Sequence, residues 1–396
     1  MPIRVLHIFT PNYKHRFGGP IFRWKYAFSH WDHPEIEHFT IDYDQRQILN
    51  ANEAFSFKIS SSQESISRKK RIIWIFNLLR YLHQNKDKYD LIHFHVLWWG
   101  TLVAGIWATK NKIPVIYESV LLGSDTPNRI NQERWGKIKV RILKENFNIV
   151  SISESLTEEY RLAGFEEDRL FTLMNSVDFN TFHPISSEKE KNNLRQKYGL
   201  PQNAKILIFV GSLIARKGFD LLITSFVELS KSQEDLFLLV VGPRNSLENP
   251  SVNDEFVVNL RKQVEKNQIT SQTLFLGLIQ DRKQLAELYQ ASNLFIFPSR
   301  NEGFPNVVLE AMACGLPVIV SKLPGIEKVI NNNETGVILQ NNDAESISLA
   351  VQRLIGEPKY NAIIGSRASN FIQQNHSFTA WQNQLSNVYV KVIAGS

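Results

Sequence analysis

Two charged constellations in the later part of the chain carry the clearest chemistry. The first follows the apolar run Ile206–Val210 and reads Gly211-Ser212-Leu213-Ile214-Ala215-Arg216-Lys217-Gly218-Phe219-Asp220. Adjacent Arg216 and Lys217 beside a glycine, where a helix opens, suit a diphosphate: two fixed cations plus backbone N–H donors. The loop has neither the Gly-Lys-Ser/Thr ending of a Walker loop nor a G-x-G-x-x-G fingerprint, and a solvated pair of charges is the plainer alternative. The second constellation runs from Pro298 to Pro317, with Glu302 in a Gly/Pro turn and Glu310 on the helix that follows. Glu310 on an otherwise apolar helix needs a polar partner, because burying a lone carboxylate is costly. The vicinal diol of a ribose would serve. Glu302 stands where backbone N–H groups of Phe304, Asn306 and Val307 can hold sugar hydroxyls.

Ligands of open α/β sheets bind at the carboxyl ends of strands, and three more turns fall at such ends. Gly18-Gly19-Pro20 follows the run Ile3–Phe9 and either allows close approach of a phosphate to the backbone or forms an ordinary flexible turn, the two being about even on this motif alone. Gly242-Pro243-Arg244 closes another buried run and reads as structural. Thr273–Ile279 has the character of a slot for a flat base, read by the backbone around Leu278, with core packing an equal explanation. His93 and His95 share a strand face and either hold a metal or form hydrogen bonds, the latter favoured because no carboxylate neighbours them in sequence.

A set of short apolar strands alternating with helices must position these residues. Runs at Ile3–Phe9, Leu91–Phe94, Val115–Glu118, Ile149–Ser153, Ile206–Val210, Phe237–Val241, Thr273–Leu276, Leu294–Phe297 and Pro317–Val320 read as buried strands. Most precede stretches of helical period, such as Gly218–Ser230, Asp281–Gln290 and Val307–Cys314. That alternation predicts βαβ units and parallel sheets covered on both faces. With 396 residues, the chain exceeds the ~250–300 at which one core stops growing, and the series restarts near Ile206. Two domains are therefore expected, with the polar stretch Pro184–Asn193 as linker. From Phe378 to Ile393, residues Phe378, Trp381, Leu385, Val388, Tyr389 and Val392 form one apolar stripe that docks on structure built earlier.

Composition narrows the class. A chain 43% hydrophobic and 21% charged is neither disordered nor fibrous. Cys314 alone allows no internal disulfide and no cysteine-based zinc cluster, which fits a reducing, cytoplasmic setting. The N-terminus enters a strand with no apolar leader. Leu91–Thr109 has no charged residue, but His93, His95, Gly100 and Thr101 interrupt it, so it reads as strand, turn and helix rather than a membrane span. Residues 1–150 hold 22 Lys and Arg against 13 Asp and Glu, or +9, and the remainder 23 against 26, or −3. A basic first part meets something anionic, although no nucleic-acid module with interleaved aromatic and basic residues is present.

The Gly211…Arg216-Lys217-Gly218 loop and the block Glu302-Gly303-Phe304-Pro305-Asn306-Val307-Val308-Leu309-Glu310-Ala311-Met312-Ala313 resemble the donor site of family 4 retaining glycosyltransferases of the GT-B fold. The similarity covers nearly the whole chain. Asn175-Ser176-Val177-Asp178, with Phe182 and Pro184, is similar to the family's Asn-Gly-Val-Asp segment, and Leu339 to Leu354 to its late helical region. The resemblance implies an α/β architecture of two doubly wound, Rossmann-like parallel-sheet domains facing a cleft. Residues 1–184 would bind the acceptor, 185–376 the nucleotide-sugar donor, and 377–396 would form a helix crossing back to the first domain.

The implied activity is a retaining, metal-independent hexosyltransferase. It would move a hexose from a UDP- or GDP-sugar to a glycan or lipid-linked acceptor in polysaccharide or glycoconjugate synthesis, with no cofactor. By the same resemblance Arg216, Lys217 and Glu302 are the catalytic groups, the two cations on the diphosphate and Glu302 on the sugar. Glu310 would take the ribose, and Gly18, Gly19, Leu278, Gly303, Phe304, Asn306 and Val307 would complete the donor site. Three positions depart from the family pattern: the usual His after Pro114–Glu118 is missing near Val120, Ser176 replaces a glycine, and Gly242-Pro243-Arg244 replaces Gly-x-Gly. Asp42-Tyr43-Asp44 matches the metal motif of the other major glycosyltransferase fold, against which the two-domain organisation argues. A phosphorylase or epimerase of the same fold and a sugar-nucleotide-binding protein without turnover are the alternatives, and the intact Arg216/Lys217 and Glu302/Glu310 pairs favour transfer. Finally, Arg68-Lys69-Lys70-Arg71 opens a helix rich in isoleucine and aromatics. Peripheral docking on the anionic inner face of a membrane and a core helix with a charged start fit it equally.

Overall fold

A computed structural model describes residues 2–9, 19–42, 47–50, 68–120, 126–249, 251–302 and 304–395. Gly18, Gly303, Tyr43 and Asp44 lie outside them. The first sheet comprises β1 (Ile3–Ile8), β2 (Ile36–Asp42), β3 (Gln47–Asn50), β4 (Leu91–Phe94), β5 (Val115–Ser119), β6 (Asn148–Ser151) and β7 (Leu170–Thr172). Their order is β3-β2-β1-β4-β5-β6-β7, parallel except for the β2–β3 pair. The second comprises β8 (Lys205–Val210), β9 (Leu236–Val241), β10 (Thr273–Gly277), β11 (Leu294–Phe297), β12 (Val318–Val320) and β13 (Val337–Ile338), in the order β10-β9-β8-β11-β12-β13 and parallel throughout. Each is a doubly wound sheet, the expected fold class. Strand order reverses between β1 and β4 in one and between β8 and β11 in the other, and such switch points are where ligands bind.

The central strands read as continuous apolar runs because both faces are covered: β8 is Lys-Ile-Leu-Ile-Phe-Val and β11 Leu-Phe-Ile-Phe, with every residue after Lys205 buried. Strand β2 lacks this signature and was not expected. It buries His38 and Thr40, so its inward side reads as polar.

The chain divides into two compact units, Met1–Met174 with Trp381–Ser396, and Asn175–Ala380. The expected boundary at 184/185 therefore shifts ten residues earlier, and the linker expected at Pro184–Asn193 belongs to the second unit. Three contacts explain this. Val177 donates its N–H to the His376 carbonyl at 2.8 Å. Phe182 is fully buried, and the Arg282 guanidinium lies 4.6 Å from its ring centroid. Ser187 caps the helix Glu188–Lys197, its hydroxyl accepting from Glu190 N–H at 3.3 Å. The last helix, Phe378–Ala394, joins the first unit from Trp381 onward, four residues after the expected 377. Trp381 meets Trp24 edge-on at 5.5 Å, and the Tyr389 hydroxyl lies 2.9 Å from His93 Nδ1. Leu91–Thr109 is strand β4 followed by the helix Trp99–Lys110, and no helix among the described residues is long and apolar enough to cross a membrane.

Candidate active site

At the β8/β11 switch point the backbone brings two loops together. Gly218 sits at φ +69°, and a Cβ there would lie 1.8 Å from the Pro298 carbonyl oxygen, so only glycine fits. Across this contact Arg300 N–H donates to the Arg216 carbonyl at 2.8 Å, and the Arg300 guanidinium pairs with Asp220 at 2.7 and 2.8 Å. On that frame Arg216 and Lys217 converge on one carboxylate oxygen, Glu302 Oε1, at 2.9 and 2.6 Å. The Ser299 hydroxyl donates to the same oxygen at 2.7 Å. Lys217 also stands 4.9 Å from the Phe297 ring centroid. Burial pushes its pKa below the ordinary lysine value, while Glu302 pulls the other way. The side chains of Lys217 and Glu302 are only 16% and 10% exposed, against 45% for Arg216. The trio holds two positive charges against one negative, an arrangement that still attracts an anion.

The helix Asn306–Ala313 carries the second group. Glu310 is buried, and its Oε1 accepts from the Arg282 guanidinium at 2.9 Å. Its Oε2 is buried beside the Tyr289 hydroxyl, which donates to the Val307 carbonyl at 3.3 Å and also stabilises the carboxylate. Burial raises the Glu310 pKa, with Arg282 opposing. Arg282 owes its position to Asp281, which caps the helix Arg282–Ala291 by accepting from Lys283 and Gln284 N–H at 2.8 and 3.3 Å. Asn306 Oδ1 accepts from Asn175 Nδ2 at 2.6 Å, and the Phe304 ring stacks on His376 at 6.4 Å. Leu278 follows β10 with its side chain exposed. Arg216, Lys217 and Glu302 are thus brought together, and Glu310 forms a separate pair. Gly19 opens the helix Gly19–Ser29 in the other unit.

Residues 190–371 match the family described as Glycosyl transferases group 1, and that span holds both carboxylates and both cations. Over that span the chain is similar to the group 1 glycosyl transferases. Among its relatives are an uncharacterized glycosyltransferase of Methanocaldococcus jannaschii, 24% identical over 90% of this chain and 89% of its own, and a D-inositol 3-phosphate glycosyltransferase of Catenulispora acidiphila, 27% identical over 71% of this chain and 66% of its own. The fold is similar to that of HepE from Anabaena, solved in complex with UDP, with a TM-score of 0.76 at 17% identity over 98% of this chain and 100% of that one.

The chain holds further groups that its sequence did not announce. Ser299, which holds Glu302, stands in the Pro298–Pro317 stretch with no role read for it, and Arg282, which holds Glu310, lies outside any motif. In the first unit, Glu118 on β5 sits beneath a chain of imidazoles. Its Oε2 accepts from His95 Nδ1 at 2.7 Å and Trp24 Nε1 at 2.8 Å, and its Oε1 pairs with Arg23. His95 Nε2 meets His7 Nδ1 at 2.8 Å, and His7 Nε2 meets His38 Nδ1 at 2.7 Å. One ring nitrogen from each of His7, His93 and His95 lies within 4.8 Å of the other two. The hydrogen bonds made by His93 and His95 agree with the reading favoured for them, and the carboxylate missing from their sequence neighbourhood arrives from β5. Burial lowers the pKa of all four histidines, His38 to about 3. Burial opposes ionisation of Glu118, yet Arg23 and then His95 hold its carboxyl well below the usual range.

Proposed function

We propose that this protein is a glycosyltransferase of the group 1 type, a retaining, metal-independent hexosyltransferase fed by a nucleoside-diphosphate sugar, with a glycan or lipid-linked acceptor. The observation that carries this reading is the convergence of Arg216 and Lys217 on Glu302 at the β8/β11 switch point. When the C1–O bond to the diphosphate breaks, negative charge gathers on the leaving oxygen. Arg216 and Lys217 neutralise it, a task a divalent ion performs in other enzymes. The acceptor hydroxyl bonds to C1 on the face the diphosphate leaves, and its proton passes to the departing phosphate oxygen, so the anomeric configuration is kept. Glu302, with the backbone N–H groups of Phe304, Asn306 and Val307 at the helix start, orients the sugar hydroxyls. Glu310, on the helix that opens beside the cluster, accepts from a ribose hydroxyl. HepE, which shares the fold, was solved with UDP, in keeping with a uridine donor.

Thermal denaturation against a panel of UDP-, GDP- and ADP-sugars tests the donor. One nucleotide series raises the midpoint, by ~2.7 kcal/mol of apparent stability at a hundredfold excess over Kd. No response to any of them overturns the reading.

A further inference from the structure

The first unit exposes large apolar side chains at three helix starts that meet. Ile72, Ile73 and Phe76, on the helix Arg68–Gln84, are 69%, 60% and 67% exposed. Trp99 opens the helix Trp99–Lys110, and Trp135 and Ile138 flank the start of the helix Gly136–Asn146; all three are exposed. Ring contacts show that the three helix starts adjoin, with Trp74 on the inner, core-packed side of its helix. Trp74, between Ile73 and Phe76, packs on Trp98 at 4.4 Å, and the Lys139 ammonium stands 5.6 Å from the Trp99 ring centroid. Cations are interleaved throughout: Arg134 lies 5.8 Å from the Trp135 ring centroid. Residues 65–86 include six Lys and Arg and no acidic residue except Asp87 just beyond, and residues 133–145 include five Lys and Arg against Glu133 and Glu145, which pair with Lys139 at 2.6 Å and Arg141 at 2.7 Å.

We propose that this face docks the enzyme on an anionic lipid bilayer. Tryptophan, isoleucine and phenylalanine side chains beside Lys and Arg match the interface between headgroups and acyl chains, where apolar side chains enter and cations pair with lipid phosphates. Charge complementarity selects this occupant over a second copy of the chain, since a self-complementary contact would set the basic runs against each other. The helix Trp99–Lys110 starts where β4 ends, so the face borders the carboxyl edge of the first sheet. Resting on the transfer reading, this suits an acceptor whose lipid anchor stays in the bilayer.

Flotation of the full chain with phosphatidylcholine vesicles, with and without phosphatidylglycerol, at low and high salt, tests the proposal. Binding is expected only with phosphatidylglycerol, and high salt weakens it. Ile72→Glu with Phe76→Glu lowers vesicle affinity by about tenfold or more, while its melting midpoint and its response to nucleotide sugars stay as in the parent. Three results overturn the proposal: no flotation with phosphatidylglycerol, equal flotation without it, or unchanged flotation of the double variant. A dimer in light scattering that the double variant dissolves also overturns it, by naming a second copy as the occupant. The nucleotide-sugar response is a separate readout, so failure of membrane docking and failure of the donor assignment are distinguishable.

Discussion

The two units repeat one architecture with opposite electrostatics. Each places polar groups at the point where strand order reverses, β1/β4 in one and β8/β11 in the other. In the second unit those groups are charged and partly solvated: Arg216, Lys217 and Glu302, with a cation in excess. In the first they are sealed: His7, His38, His93, His95 and Glu118 are all buried, and burial disfavours the charged form of each imidazole. The strand order fixes where polar groups gather. Exposure then decides whether they serve an anionic ligand or bind the unit together, because charges near water can exchange partners whereas buried ones cannot.

The sharpest way to break this contrast is Glu118→Gln. It removes the buried carboxylate charge on which Arg23, His95 and Trp24 converge inside the first unit and should cost about 3–5 kcal/mol of stability. Chemical denaturation followed by tryptophan fluorescence reads this well, because all eight tryptophans lie in the first unit. A loss below ~1 kcal/mol would place the network among ordinary surface contacts.

A smaller effect sharpens the contrast through pH. Each buried histidine has a folded pKa below its unfolded value of 6.5, so above that pH it contributes no dependence. Below it the unfolded chain takes up a proton that the folded chain refuses. Stability therefore falls with acid by up to ~1.4 kcal/mol per pH unit for each histidine, and for His38 the fall continues to about pH 3. The depressed Glu118 adds to the loss below its unfolded value of 4.5. Glu310, raised by burial, acts oppositely in the second unit, where acid relieves its ionisation. The tryptophan melting midpoint should drop between pH 7 and pH 5. A flat midpoint would mean that the imidazoles already carry charge when folded.

What was legible in the sequence followed from locality. Arg216, Lys217 and Gly218 are adjacent, and Glu302 to Glu310 lie within one turn and helix, so their chemistry survives in a linear reading. The apolar central strands announced both sheets for the same reason. The first unit's network is assembled from four strand segments and a helix, with β2 and β5 carrying His38 and Glu118 to the chain of rings. No spacing rule connects residues 7, 23, 38, 95 and 118. The boundary at 174 was hidden because Pro184–Asn193 is the more polar stretch and drew the linker to itself, while Val177 and Phe182 bury themselves in the second unit.

Turnover of Lys217→Ala on the donor that the thermal panel selects tests the central claim most directly. With Arg216 and Glu302 left in place, loss of one preorganised cation at the leaving diphosphate should lower kcat by about 10²–10³-fold, with the melting midpoint of the variant close to that of the parent. Turnover equal to the parent's would contradict the assignment of the Arg216–Lys217–Glu302 cluster as the site of glycosyl transfer.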